Sequence, residues 1–175
     1  TQEVDRVSVA ASRGTSPVVS PGTTKSYRCV CINTCYDAFI RHHYSNNPRL
    51  VSASYEEQLE ALNGTFFGDS DFYSRGLRSA GFDAIDLVVN CAPLQHAWAR
   101  LHGVEADGYQ LVKHQLELLK PDVVYVQDMA GTPRDVLSHI KAQGAIIVGQ
   151  IACELAPSVP LDVYDVVFSS FPHFV

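Results

Sequence analysis

The run Pro121-Asp122-Val123-Val124-Tyr125-Val126-Gln127-Asp128 leaves this chain few ways to fold. It is apolar for the length of a strand, follows a helix-stopping Lys120-Pro121, and gives way to Gln127-Asp128-Met129-Ala130-Gly131-Thr132-Pro133. A strand with no polar face must be covered on both sides, which is the condition of a strand inside a parallel sheet. Open parallel sheets bind ligands outside the carboxyl ends of their strands. The polar exit at Gln127 and Asp128 is therefore the first place to expect a site.

The rest of the chain supplies partners for that strand. Tyr27 through Asn33 reads as a first, central strand, Ile85 through Val89 as a second, Ala145 through Gly149 as another, and Asp165 through Phe168 as a last one near an edge. Helical patterns fall between them. A short helix is expected after Thr34, broken by Ser45-Asn46-Asn47-Pro48. Ser54 with Glu57 has capping-box spacing and starts a helix that Asn63-Gly64 ends. Another runs from Asp69 or Ser70, with Phe72, Leu77 and Ala80 expected on its apolar side. Leu94 to Leu101 and Gly108 to Leu119 follow, the latter with Tyr109, Val112, Leu116 and Leu119 on one face. Pro133 opens the last, with Val136, Leu137 and Ile140 facing inward.

Alternation of this kind predicts an α/β, Rossmann-like layered domain, with a mainly parallel sheet and flanking helices. The 175 residues suit one such domain. It is expected over residues 27–175, preceded by a flexible linker or extended arm over 1–26 that is rich in Ser, Thr, Gly and Pro.

Composition narrows the partners. Thirteen Lys and Arg against nineteen Asp and Glu give a formal charge of -6 with no basic run, so nucleic acid is not expected. No stretch is long and apolar enough for an integral membrane segment, and no signal core is visible. Five cysteines without metal-type spacing point to a reduced, cytoplasmic protein with Cys29 and Cys31 as buried thiols. His42 and His43 are adjacent and do not face one point on a helix, so no metal site is expected.

The candidate site gathers polar residues from the strand exits. Tyr36 and Asp37 follow the first strand, Gln127 and Asp128 the organising one, Gln150 and Glu154 the next, and Ser169, Ser170 and His173 the last. Glutamine orients a hydroxyl through both donor and acceptor groups, and a carboxylate accepts its proton. Asp128 and Glu154 are thus the candidate catalytic residues. Tyr36, Asp37, Ser70, Tyr73, Gln127 and Gln150 are the candidate contacts to a hydroxyl-bearing acceptor such as a sugar. The alternatives are structural: Asp128 and Glu154 as caps of their loops, Gln150 as a packing residue. No phosphate-loop or dinucleotide glycine pattern is present, so no tightly bound cofactor is expected.

Five segments, in this order, carry a family resemblance: Ser54-Tyr55-Glu56-Glu57-Gln58-Leu59, Phe67 through Leu77, Pro93-Leu94-Gln95-His96-Ala97-Trp98-Ala99-Arg100, Lys120 through Asp128, and Asp165 through Phe174. From about Tyr27 onward the chain resembles the amino-terminal domain of GT-B glycosyltransferases of the broad family-4-like group. The resemblance implies the acceptor side of an interdomain cleft in a larger protein. A second, C-terminal Rossmann-like domain would hold most of a nucleotide-sugar co-substrate. Gln127 and Gln150 stand where the family often carries histidine, and glutamine is no general base. A noncatalytic ligand-binding or assembly domain derived from the same fold is the alternative.

Overall fold

The computed structural model describes residues 26–169. The arm expected over 1–26 lies outside the described residues except for Ser26, as do Ser170 and His173. The described chain is an α/β domain of Rossmann-like form, a five-stranded sheet with helices packed about it. Its strands are β1 (Arg28–Asn33), β2 (Asp83–Val88), β3 (Val123–Val126), β4 (Ile146–Ile151) and β5 (Val166–Ser169). All neighbours pair in parallel, in the order β2-β1-β3-β4-β5.

The helices are α1 (Asp37–Asn46), α2 (Tyr55–Asn63), α3 (Phe72–Ser79), α4 (Ala92–His102), α5 (Gly108–Leu119) and α6 (Arg134–Ala142). Short 3-10 turns occupy Pro48–Ser52 and Leu161–Val163. The organising strand behaves as its composition requires. Val124 and Val126 are fully buried in a core built with Val112 and Leu116 of α5 and Val136, Leu137 and Ile140 of α6. Tyr125, on the opposite face, packs with Cys29, Cys31 and Ala84 near Tyr73 and Leu77 of α3. A third cluster joins Ile40 and Tyr44 of α1, Leu62 of α2, and Val88, Cys91 and Leu94.

Local signals account for most helix boundaries. The Ser54 hydroxyl accepts from Glu57 N at 3.2 Å and the Glu57 carboxylate accepts from Ser54 N at 3.0 Å, completing the capping box. The Ser54 backbone amide first, and the Ser54 side chain second, hold the Glu57 carboxyl below the usual glutamate range. The inward face expected for the helix after Ser70 is corrected. Phe72 is 50 % exposed, and Ala80 is exposed just beyond the last turn. The helix starts at Phe72, which turns Tyr73, Ser74 and Leu77 toward the sheet. Phe72 stacks instead on Phe66, at 6.4 Å between ring centroids. His42 is exposed and contacts Asn46, whereas His43 is buried beside Phe39.

Gly76 lies within α3, and a Cβ added there would meet nothing within 4 Å. Glycine in a helix interior is destabilising by roughly 0.5–1 kcal/mol relative to alanine. Gly76→Ala is therefore expected to raise the thermal midpoint by about 2 °C. An unchanged or lower midpoint in a calorimetric scan would count against this account.

Asp86 of β2 is a carboxyl inside the sheet–α3 layer, 7 % exposed. Burial pushes it above the ordinary aspartate value, while the Ser74 hydroxyl donating to its Oδ2 at 2.5 Å and the charge of Arg78 act in the opposite direction. A carboxyl raised in the folded state contributes most below its unfolded value of about 4. That contribution is lost as pH rises through the folded value. Asp86→Asn retains an acceptor for Ser74 and removes the titration. Relative to the wild type, the variant is expected to gain stability as pH rises from about 4 to neutrality. Urea midpoints across that window check it, and midpoints that change in parallel for both proteins would exclude an Asp86 contribution.

Candidate functional site

The order β2-β1-β3 places a divergence at the centre of the sheet. The chain leaves β1 toward β2 on one side, and the next strand, β3, lies on the other. Connections that part in this way leave a crevice beyond the strands' carboxyl ends. A recess of about 850 Å³ lies there, lined from β1's exit by Asn33, Thr34, Cys35, Tyr36 and Asp37, and from β3's exit by Gln127, Asp128 and Gly131. Phe67, Gly68 and Asp69 form another wall, and Asn90 and Tyr109 complete it. A smaller depression of about 650 Å³, bordered by Tyr27, Lys120 and Ile146, sits at the opposite ends of the strands. The divergence of connections that shapes the first has no counterpart there.

Hydrogen bonds fix the rim. Thr34 Oγ1 donates to Asp128 Oδ2 at 3.0 Å, and Gly131 N donates to Asp128 Oδ1 at 2.8 Å. Thr132 Oγ1 donates to the Asp128 carbonyl at 2.8 Å, and the Tyr109 hydroxyl donates to the Gly131 carbonyl. Asp128 thus closes its own turn and ties β3's exit to β1's. On the other flank, Asn90 accepts from Cys35 N at 2.9 Å and donates to the Cys35 carbonyl at 2.6 Å. Three strand exits are cross-tied by side chains, a pre-organised arrangement that lowers the entropy cost of holding a ligand.

Two features set the chemistry of the recess. Among the described residues its charged lining consists of Asp37, Asp69 and Asp128, with neither Lys nor Arg. Its mouth carries aromatic surface: Phe67 stacks on Phe39 at 4.2 Å and meets Tyr36 edge-on at 6.1 Å. Tyr36 is 76 % exposed. Gln127 contributes an Oε1 that is buried without a hydrogen-bond partner. Burial together with the Asp128 charge raises the Tyr109 phenol above its usual value, so it remains a neutral donor. Tyr164 is pushed up to about 12, by burial first and the Asp128 charge second.

Four expected site residues, Tyr36, Asp37, Gln127 and Asp128, therefore share one recess. The others lie elsewhere. Gln150 is on the α3 face of the sheet, where its Oε1 accepts from the hydroxyls of Tyr73, at 2.9 Å, and Tyr125. The reason is the pleat: Val148 and Gln150 point to the face that Tyr125 occupies, away from the crevice. Ser70 spends its hydroxyl on the Asn63 carbonyl at 2.6 Å. Arg75, two residues beyond Tyr73 on α3, pairs with Asp71 at 2.8 Å. Glu154 is exposed in the loop after β4 and does not line the recess.

Thr34, Phe67, Asn90 and Tyr109 were not among the expected site residues. Asn90 was legible as the polar residue closing the second strand; Tyr109 was masked by its place in an apolar helical stripe. Among the described residues no cluster of three His, Cys, Asp or Glu is placed to hold a metal ion. No helix among them is long and apolar enough to cross a membrane. No protein-family model, no curated protein and no solved structure matches the chain.

Proposed function

We propose that this domain is the acceptor-binding half of a glycosyltransferase, holding a neutral, hydroxyl-bearing acceptor in the recess beyond β1 and β3. The observation that carries the reading is the make-up of that recess. Carboxylates and amides accept from hydroxyl groups, and the exposed Tyr36 and Phe67 rings offer apolar faces on which a sugar ring can lie. Three carboxylates with no cation beside them among the described residues repel a nucleoside diphosphate, so on this reading the donor's phosphates belong to a second domain. The resemblance to the family-4-like GT-B group supports the same division of labour.

In the transfer itself, the acceptor oxygen bonds to the sugar's anomeric carbon as the bond to the nucleotide phosphate breaks, and the acceptor proton passes to a base. Asp128 takes that proton or orients the hydroxyl; its carboxylate, held by Thr34 and Gly131, supports this role. Gln127 positions without taking the proton. Stabilisation of the departing nucleotide comes from the second half. One observation favours the noncatalytic alternative: the strand ends present Gln127 and Gln150 rather than histidine.

The 175-residue chain alone is expected to show no steady-state transfer from nucleotide sugars, because this reading assigns the donor-binding wall of the cleft to a second domain. In amide-resolved NMR, methyl glucoside should shift residues 33–37 and 127–131 saturably, and uridine diphosphate should leave them unmoved. Turnover by this chain, or diphosphate binding in the recess, would overturn the acceptor-half reading.

A further inference from the structure

Beside the recess, across the Asn90 side chain, a cleft of about 310 Å³ opens between the first turns of α4 and α5. Gln95, His96, Asp107, Gly108 and Leu111 line it. Gln95 is 6 % exposed, and its Nε2 donates to the Val88 carbonyl at 2.8 Å. That bond fixes the amide's orientation, because the reversed amide would set oxygen against oxygen. Its Oε1 is left buried with no partner, an arrangement that costs about 1–3 kcal/mol in general and calls for an explanation.

The opposing wall supplies donors. Asp107 makes no side-chain cap bond to α5, and the helix's first bonded amide is Leu111 N, which donates to the Asp107 carbonyl. The amides of Gly108, Tyr109 and Gln110 consequently have no acceptor among the described residues. A helix N-terminus alone would favour an anion. Here the Asp107 carboxylate and the unpaired Gln95 oxygen oppose one. A neutral hydroxyl satisfies both walls, donating to Gln95 Oε1 and accepting from an α5 amide.

We infer that this cleft is a second hydroxyl-binding subsite, which takes the next sugar unit of an acceptor whose reacting end occupies the recess. The inference rests on the acceptor reading above and extends it to acceptors longer than one ring. Gln95 reads the added hydroxyl, and Asn90, shared by both hollows, marks the passage between the units.

The test is a titration of the isotopically labelled 175-residue chain with methyl glucoside, maltose and inorganic phosphate, read at backbone and Gln side-chain amides. Maltose should shift residues 92–96 and 107–111 together with the recess, and should bind about tenfold more tightly than methyl glucoside. Gln95→Leu should abolish that tenfold preference while leaving methyl glucoside binding unchanged. Because Gln95→Leu also removes the bond to Val88, His96→Trp, at an exposed position that fills the cleft mouth, is the second variant and should have the same effect. Shifts confined to the recess with both sugars would overturn the subsite and leave the acceptor reading intact. No shift with either sugar would overturn both. Phosphate displacing maltose from residues 107–111 would replace the hydroxyl subsite with an anion site.

Discussion

Gly149→Val is expected to destabilise the domain by about 3 kcal/mol, the upper part of the range for overfilling a packed interior. A Cβ at Gly149 would lie 2.7 Å from Met129 Sδ, 2.9 Å from Met129 Cε and 2.9 Å from Tyr164 Cδ1. Met129 is 2 % exposed and belongs to the main core cluster, so it has little room to withdraw. It also directly follows Asp128, and its displacement moves the turn that forms one wall of the recess. A fall in thermal midpoint of roughly 6–12 °C is the expected reading for a domain of this size. It should be accompanied by shifted amides at residues 127–131. A midpoint within 2 °C of wild type, as an order-of-magnitude limit, would mean that β4 and the Asp128 turn do not approach as described.

Asp128→Asn should weaken binding of a neutral acceptor about tenfold, equivalent to about 1.4 kcal/mol. Its folding cost should be smaller, about 1 kcal/mol. Both effects have one origin. The native carboxylate accepts from Thr34 Oγ1 on one oxygen and from Gly131 N on the other. An asparagine keeps one acceptor and offers an NH2 group in place of the second, so one rim tie is lost along with the charge that faces an acceptor hydroxyl. Thr34→Val separates these contributions, because it removes a tie and leaves the carboxylate. Calorimetric titration with methyl glucoside and urea unfolding of both variants make the comparison. Unchanged sugar affinity in a folded Asp128→Asn protein would remove Asp128 from the site, leaving it only the turn-closing role.

The elements of the fold were legible because their signals are local. Ser54 and Glu57 announce a capping box by spacing alone, and the apolar run at β3 announces a strand covered on both faces. The boundaries of α5 and α6 follow from Gly108, Lys120 and Pro133. Phe72 was misplaced because apolarity does not say where a helix begins, and a start one residue either way rotates each side chain by about 100°. Gln150 was misplaced for the equivalent reason in a strand. Residues alternate between faces, and only the register of β4 against β3 decided that Gln150 joins Tyr73 and Tyr125 rather than Gln127.

By itself, then, the sequence determined that strands alternate with helices, that β1 and β3 are interior, and that polar residues cluster at the strand exits. Those conclusions depend on hydrophobic pattern and on turn and cap chemistry, which neighbours within a few residues decide. Only the tertiary structure decided that Thr34, Asn90, Phe67 and Tyr109 meet Asp37, Gln127 and Asp128 around one acidic, aromatic-mouthed recess. It also decided that Gln95 lies unsatisfied beside the bare first turn of α5. The order β2-β1-β3 brings together residues separated by most of the chain's length, and strand order is set by the summed packing of both sheet faces, which no short window of sequence contains.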